Sequence, residues 1–143
     1  MAVYSSTRAF LTYMDSIGIK YTYGGIDSDG DEKIVIANHD TDIDFIYDIV
    51  LFFDANNQNC YIYIWNVIEY ERSNSLEIFN LCNALNGEYR YVTFEADTGD
   101  STITLRMDLI FRSQGVDEIV WEALLRMANI LGDAYPTLRN FST

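Results

Sequence analysis

Three carboxylates occupy alternate positions of one polar segment, at Asp27, Asp29 and Asp31. A calcium-binding EF-hand loop begins with this spacing, because oxygens from its first, third and fifth positions converge on one hard cation. The rest of the loop does not match. Its sixth position must be glycine and is Glu32, and its twelfth should be a bidentate glutamate and is Asn38. We therefore predict a solvated hairpin turn and no metal site.

The single histidine, His39, is the next residue suited to chemistry. Histidine changes charge near neutral pH, and beside the carboxylates of Asp40 and Asp42 it could serve as a general base. No nucleophile motif or phosphate-binding glycine loop accompanies it in the sequence. We predict a loop histidine, no catalytic residue, no cofactor and no enzyme activity. The alternative is an enzyme or a small-ligand-binding regulator with a dispersed polar site, for which His39, Asp40 and Arg90 are the first candidates.

An aromatic run in the middle of the chain is a candidate binding surface. Tyr61, Tyr63 and Trp65 alternate with Ile62 and Ile64, so both faces of a strand at this position are apolar. One face of an antiparallel sheet is commonly solvated. The pattern leaves two alternatives: helices cover both faces, or a second copy or another partner covers one of them.

The candidate partner-binding residues are Tyr63, Trp65 and Trp121. The first two belong to the aromatic run, and Trp121 lies on a predicted helix, where a partly buried core position is the alternative. Because a two-fold contact would bury the surplus aromatic face, we predict a homodimer.

Hydrophobic periodicity divides the chain into short elements. Helices are predicted at residues 6–17, 74–87 and from 116 to the Tyr135-Pro136 pair, and strands at residues 21–25, 33–38, 43–53, 60–68, 89–96 and 102–111. The order is αβββ or αββββ followed by αββα. It predicts an α+β fold in which three helices pack on an antiparallel sheet of five or six strands.

Several residues predict where the helices begin and end. Gly18 is placed to take a left-handed conformation after the first helix. Asn74 and Glu77 have the spacing of a capping box at the start of the second. Pro136 should end the third helix, and Ile119 should point from that helix into the core.

Length and composition limit the class of protein. The 143 residues suit one domain, and 49% hydrophobic residues exclude disorder. The net charge of −13 makes nucleic acids and anionic membranes poor partners. The acidity is explained by solubility alone, and a cationic partner segment is the sharper alternative. Cys60 and Cys82 lie in apolar patterns typical of buried thiols. No signal peptide precedes the first helix, so we predict a cytoplasmic protein.

A junction between helix and strand resembles a known family. Asn83, Ala84, Leu85 and Asn86 end the second predicted helix, and the sequence Tyr-Arg-Tyr-Val-x-Phe follows at residues 89–94, with Met-Asp-Leu at residues 107–109. These motifs resemble those of the YbjN-like bacterial proteins, which are described as regulators of sensory transduction. The resemblance implies one domain over residues 1–143 with a fold similar to that of type III secretion chaperones.

The same resemblance implies a small acidic protein, often dimeric, that grips a partner polypeptide on its sheet or helix surface. We therefore predict a non-enzymatic protein-binding adaptor, chaperone-like or regulatory protein. The small-ligand regulator or dispersed-site enzyme remains the alternative.

Overall fold

The computed structural model describes residues 1–112 and 114–143. Over these residues the elements follow the order αββββαββα. The helices are α1 (Ser5–Ile17), α2 (Ser75–Glu88) and α3 (Val116–Arg139). The strands are β1 (Thr22–Ile26), β2 (Glu32–Asp40), β3 (Phe45–Phe53), β4 (Asn59–Glu69), β5 (Thr93–Asp97) and β6 (Thr102–Ile110). The predicted α+β fold is confirmed.

The strands form one sheet in the order β1-β2-β3-β4-β6-β5, and each pair of neighbours is antiparallel. The strands β4 and β6 are neighbours although β5 lies between them in the sequence. The intervening helix α2 packs beside β5 at the outer edge, and the chain then returns to pair β6 with β4. The sheet therefore has two outer strands, β1 and β5.

One face of the sheet carries the hydrophobic core. Ile34, Leu51, Ile62 and Met107 lie in a single row across four neighbouring strands, and each is almost completely buried. The apolar sides of the helices pack into the same core, through Phe10, Leu11, Met14, Ile78, Cys82, Leu85, Val120, Leu124, Met127 and Leu131. All three helices thus contribute to the core on this one face.

The opposite face of the sheet is not part of that core, and we call it the open face. Its side chains are those of opposite parity on the same strands, among them Lys33, Val35, Val50, Phe52, Tyr61, Tyr63, Trp65, Arg106 and Asp108. In the part of the chain that the structure describes, helices therefore cover a single face, so the alternative in which helices cover both faces is wrong.

A buried carboxylate joins α1 to the sheet. Glu32 at the start of β2 is fully buried and accepts hydrogen bonds from the backbone N–H groups of Val3 at 2.7 Å and Tyr4 at 3.0 Å. The Tyr23 hydroxyl donates to the same carboxylate at 2.5 Å. The side-chain oxygen of Asn57, in the β3–β4 loop, accepts a hydrogen bond of 3.0 Å from the backbone N–H of Ser6, the second residue of α1. Side chains from other elements thus supply the cap of α1.

The hydrogen bonds also determine the charge state of Glu32. Burial by itself raises the pKa of this carboxyl, but the bonds from Tyr23 and the two backbone N–H groups outweigh burial and hold the pKa below its usual value. The folded protein therefore stabilises the ionised carboxylate, next to the positive end of the α1 dipole.

Two predicted helix ends differ from the structure. Gly18 has φ of 77°, which confirms the left-handed end of α1. The capping box is wrong, because Asn74 makes no side-chain cap bond; its ψ of 12° continues a short 3-10 turn, whereas a capping residue has extended backbone. The third helix passes through Pro136 to Arg139. Its last turns hold Leu138 in the core, and this burial outweighs the hydrogen bond that proline cannot donate.

Two further predictions were wrong in detail. The strand predicted at residues 89–96 begins only at Thr93, because Tyr91 has φ of 75° and a left-handed residue interrupts extended backbone. Ile119 points outward on α3 and is 40% exposed. In β6, Ile103, Leu105 and Met107 alternate toward the core, as expected of a strand with one buried face.

A side-chain amide closes the outer edge of β5. The Oδ1 atom of Asn86 accepts the backbone N–H of Phe94 at 2.7 Å, and its Nδ2 atom donates to the Phe94 carbonyl at 3.0 Å. These are the bonds that a neighbouring strand would make. Asn86, at the end of α2, thus holds that helix against the edge of the sheet. The connection that follows α2 contacts α3, because the Tyr89 hydroxyl donates a hydrogen bond to the Asp133 carboxylate.

We predict that Glu32→Gln lowers the free energy of unfolding by about 2 kcal/mol at neutral pH. The glutamine side chain replaces one acceptor oxygen with an NH2 group, which would face the N–H and O–H donors that Glu32 now binds. The carboxylate's contribution is present above its unfolded-state pKa and is lost as the pH falls through the lower folded-state pKa. The difference between wild type and variant should therefore shrink below about pH 4.5. Urea unfolding across this range measures it, with Glu88→Gln, an exposed position, as the control.

We also predict that Asn86→Ala lowers the free energy of unfolding by about 2 kcal/mol, because both backbone groups of Phe94 lose their partner. Asn83→Ala is the matched control: it makes the same change on the same helix, so both variants gain equal helix propensity. Urea unfolding of the two variants should separate them by this amount. Equal stabilities would mean that the Asn86 bonds contribute nothing net.

Candidate functional site

The three candidate binding residues lie on two different surfaces. Tyr63 and Trp65 project from β4 onto the open face, whereas Trp121 is on α3, which packs against the opposite face. The structure therefore does not bring Trp121 together with the other two, and the two surfaces are considered separately.

The open face carries a cluster of stacked aromatic rings. Tyr63 and Trp65 stack with their centroids 5.3 Å apart, and Phe52 lies 6.0 Å from each. Trp65 is 45% exposed, while Val50, beside Tyr63 in the same row, is only 5% exposed although it lies outside the helix-covered core. The cluster is thus an apolar surface on the solvent side of the sheet.

Charged residues flank this aromatic cluster. Lys33 lies in one row with Phe52, Tyr61 and Asp108, so its ammonium and the Asp108 carboxylate stand on opposite sides of the rings. A Cβ on Gly24 would lie 3.0 Å from the Lys33 side chain, so this glycine leaves room for the lysine stem across β1. The rim of the cluster is therefore charged with both signs.

The second surface is a groove between α3 and the outer side of β2, which we call the edge groove. Its volume is about 240 Å³, and its apolar lining comes from four parts of the chain: Ile19, Ile36, Ile49, Trp121, Leu124 and Leu125. Lys20, from the connection between α1 and β1, also lines it. Trp121 thus lines a groove in addition to packing against the core, and Leu125 beside it is 46% exposed.

The edge groove lies along an unpaired stretch of strand. The strand β1 begins with Thr22, opposite Val35, so residues 36–40 of β2 pair with β3 on one side and, among residues 1–112 and 114–143, with no strand on the other. Ala37 and Asn38 from this stretch line the groove. Alternate residues of such an edge present free backbone N–H and C=O groups.

An acidic corner lies at the end of this strand. Asp40 ends β2, and Asp42 and Asp44 follow in the turn to β3. The Asp40 carboxylate accepts the N–H of Asp42 at 3.1 Å, which keeps the turn tight. The free strand edge therefore runs from the apolar groove toward a group of negative charges, which we call the acidic corner.

The residues suspected of catalysis do not form one site. His39 lies within β2, so the prediction of a loop histidine is wrong. As neighbours on a strand, His39 and Asp40 point to opposite faces; the Asp40 carboxylate lies 3.1 Å from where a Cβ on Gly132 of α3 would stand. The His39 imidazole is instead 3.6 Å from the exposed Asp44 carboxylate. Arg90 precedes β5 at the other side of the sheet.

The acidic turn between β1 and β2 uses its first carboxylate internally. Asp27 Oδ1 accepts the backbone N–H groups of Asp29 at 2.9 Å and Asp31 at 3.0 Å. Burial and the neighbouring carboxylates raise the pKa of Asp31. Across residues 1–112 and 114–143, no three histidine, cysteine or acidic side chains converge as metal ligands.

The two cysteines are free and buried, as the apolar patterns predicted. Burial raises the pKa of the Cys60 thiol well above its usual value and that of Cys82 to about 11. Both thiols are therefore protonated and poorly nucleophilic near neutral pH.

Sequence reasoning missed Glu32, Asn86 and the edge groove. Glu32 had a weak signal, since a carboxylate stands here at a core-facing position of an otherwise apolar strand. The groove had none, because its lining comes from segments that are distant in sequence. In the part of the chain that the structure describes, no helix has the length and apolar character needed to span a bilayer.

We predict that millimolar calcium leaves the melting temperature unchanged. A cation that bound only the folded state would raise it, but the Asp27 carboxylate already holds two backbone N–H groups. Thermal melts with calcium and with chelator test this, and Asp29→Asn serves as a control for nonspecific charge screening. A calcium-dependent rise of several degrees that Asp29→Asn removes would contradict the prediction.

Comparison with known proteins agrees with the helix-to-strand motif. The YbjN family, described as "Putative bacterial sensory transduction regulator", matches residues 9–137. Among curated proteins, no match to the chain is found. The family match runs from within α1 to the last turns of α3, so it includes every strand of the sheet. The chain therefore belongs to the YbjN family.

Proposed function

We propose that this chain is a non-enzymatic cytoplasmic regulator that binds an extended segment of a partner protein along the edge of β2. The regulatory role is supported by the description of its family. The cytoplasm is supported by the two free thiols, since disulfides are rare there. The finer statement, that regulation works through peptide binding, rests on the edge groove.

The observation that carries this proposal is the meeting of a free strand edge with an apolar groove. Residues 36–40 of β2 offer backbone donors and acceptors to an added strand. Proteins that bind peptides by strand addition gain affinity from such bonds and specificity from pockets that take alternate side chains. Here Trp121 and Leu125 provide the apolar wall of the pocket next to that edge.

The size of the groove favours a peptide side chain over a drug-sized ligand. Its volume is about 240 Å³, whereas sites for small-molecule ligands usually measure about 300–1,000 Å³. An apolar cavity of about 150 Å³ is enough to bind benzene. One large aliphatic or aromatic side chain therefore fills the groove, while the rest of the peptide lies along the strand.

Charge identifies the kind of peptide. The net charge of −13 attracts cationic segments, and the acidic corner places Asp40, Asp42 and Asp44 at the end of the free edge. The partner segment should carry one bulky apolar residue for the groove and lysine or arginine near the acidic corner. Such charges raise the rate of association more than they raise affinity.

The test is a selection of linear peptides from a random displayed library on the wild-type chain. We expect selected sequences to combine a bulky apolar residue with nearby lysine or arginine. A synthetic selected peptide should lose at least about tenfold in affinity for Leu125→Glu, because a charge in the groove must be desolvated on binding. Methylation of alternate peptide nitrogens should weaken binding as well, because it removes strand hydrogen bonds.

The matched control is Ile119→Glu, which places the same charge at an exposed position of the same helix outside the groove. It should bind the selected peptide like the wild type. Equal binding to Leu125→Glu, or a selection that yields no peptide, would contradict strand addition at this edge.

A further inference from the structure

We propose that a second copy of this chain covers the open face, with the two sheets packed face to face about a two-fold axis that runs along the strands between β3 and β4. This contact goes beyond the proposed function, because the edge groove lies on the other side of the sheet and plays no part in it.

The order of residues across the sheet supports this axis. Lys33, Phe52, Tyr61 and Asp108 lie in one row on the four central strands β2, β3, β4 and β6. A two-fold axis along the strands reverses the row in the second copy. Lys33 then faces Asp108 of the other copy, and Phe52 faces Tyr61. Each opposite-charge contact occurs twice, on the two sides of the aromatic rings.

The next row fits the same arrangement. Val35, Val50, Tyr63 and Arg106 occupy the corresponding positions on the four strands. Reversal places the small side chain of Val50 opposite the ring of Tyr63, and Val35 opposite the stem of Arg106. The Arg106 guanidinium stays 3.1 Å from Glu95 of its own chain, so its own charge is already paired within the chain. Large residues thus face small ones, as in packed sheets.

Charge complementarity favours this axis over one that runs across the strands. An axis across the strands would place β2 against β2, so that Lys33 would meet residues of its own strand rather than a carboxylate. Within one chain, Lys33 and Asp108 are three strand spacings apart, about 14 Å, so they cannot pair with each other. Among the described residues neither has an ion-pair partner. The two-fold contact supplies both partners at once.

Light scattering after size exclusion should give about twice the chain mass of 16.5 kDa. Lys33→Glu and Asp108→Lys, each alone, place like charges opposite one another twice per dimer. We expect each single variant to raise the dimer dissociation constant at least about tenfold. Lys20→Glu, which makes the same change of charge outside the open face, should leave the constant unchanged.

An equimolar mixture of the two single variants provides the decisive result. In the mixed dimer, Glu at position 33 faces Lys at position 108, and the native Lys33 faces the native Asp108. Dimer formation should return to within about threefold of the wild type. The mixture contains the same two variant chains that were measured separately. Recovery of the dimer in the mixture would therefore exclude misfolding as the cause of the loss.

Three outcomes would overturn the proposal: a wild-type monomer at about 100 µM, a dimer that Lys33→Glu leaves unaffected, or a mixture that stays as dissociated as its components. Circular dichroism of each variant checks that the fold persists. If the dimer is too tight to dissociate on the column, the rate at which fluorescently labelled chains exchange between dimers is measured instead. The variants are then compared by their dissociation rates, because most interface changes act on dissociation.

Discussion

The helices cover only one face of the six-stranded sheet. The positions of the core, the open face and the edge groove all follow from this arrangement. Strand residues that point toward α1, α2 and α3 form the core, so the alternate residues have to meet solvent or another molecule. Glu32 sets the arrangement at one end, because it ties the start of α1 to β1 and β2 through a single carboxylate. Asn86 sets it at the other end, where it holds α2 against β5. Between these two points, α3 leaves the edge of β2 uncovered.

The sequence predicted the fold where local patterns determine structure. Alternation in β3 and β6, and the Gly18 turn, follow from the residues themselves, and the helix-to-strand motif identified the family. Prediction failed where distant residues decide. Pro136 stays helical because Leu138 is buried against other elements. Tyr91 interrupts a strand that its own composition favours. Of the candidate site, the aromatic residues of the open face were predicted, but the edge groove depends on four segments that only the folded chain brings together.

The two proposed contacts describe one consistent regulator. The open face would join two copies, and each copy would keep an edge groove on its helix-covered side. A dimer then presents two peptide sites, so a partner with two suitable segments would bind its second segment as an intramolecular event. Such linkage raises the total affinity without any new contact, provided that the connecting chain spans the sites. The low intrinsic affinity expected of one short peptide segment would then suit reversible regulation.

The Asn86 amide also limits how far assembly can proceed. A sheet with two free edges is a template for unlimited growth, because each added strand exposes a new edge for the next molecule. Here the amide occupies the backbone groups of Phe94 that such growth would use. At the opposite side, β1 is short and irregular, with Gly25 at φ of 77°. Both outer strands therefore offer a poor template for an added strand, which disfavours end-to-end polymerisation of the sheet.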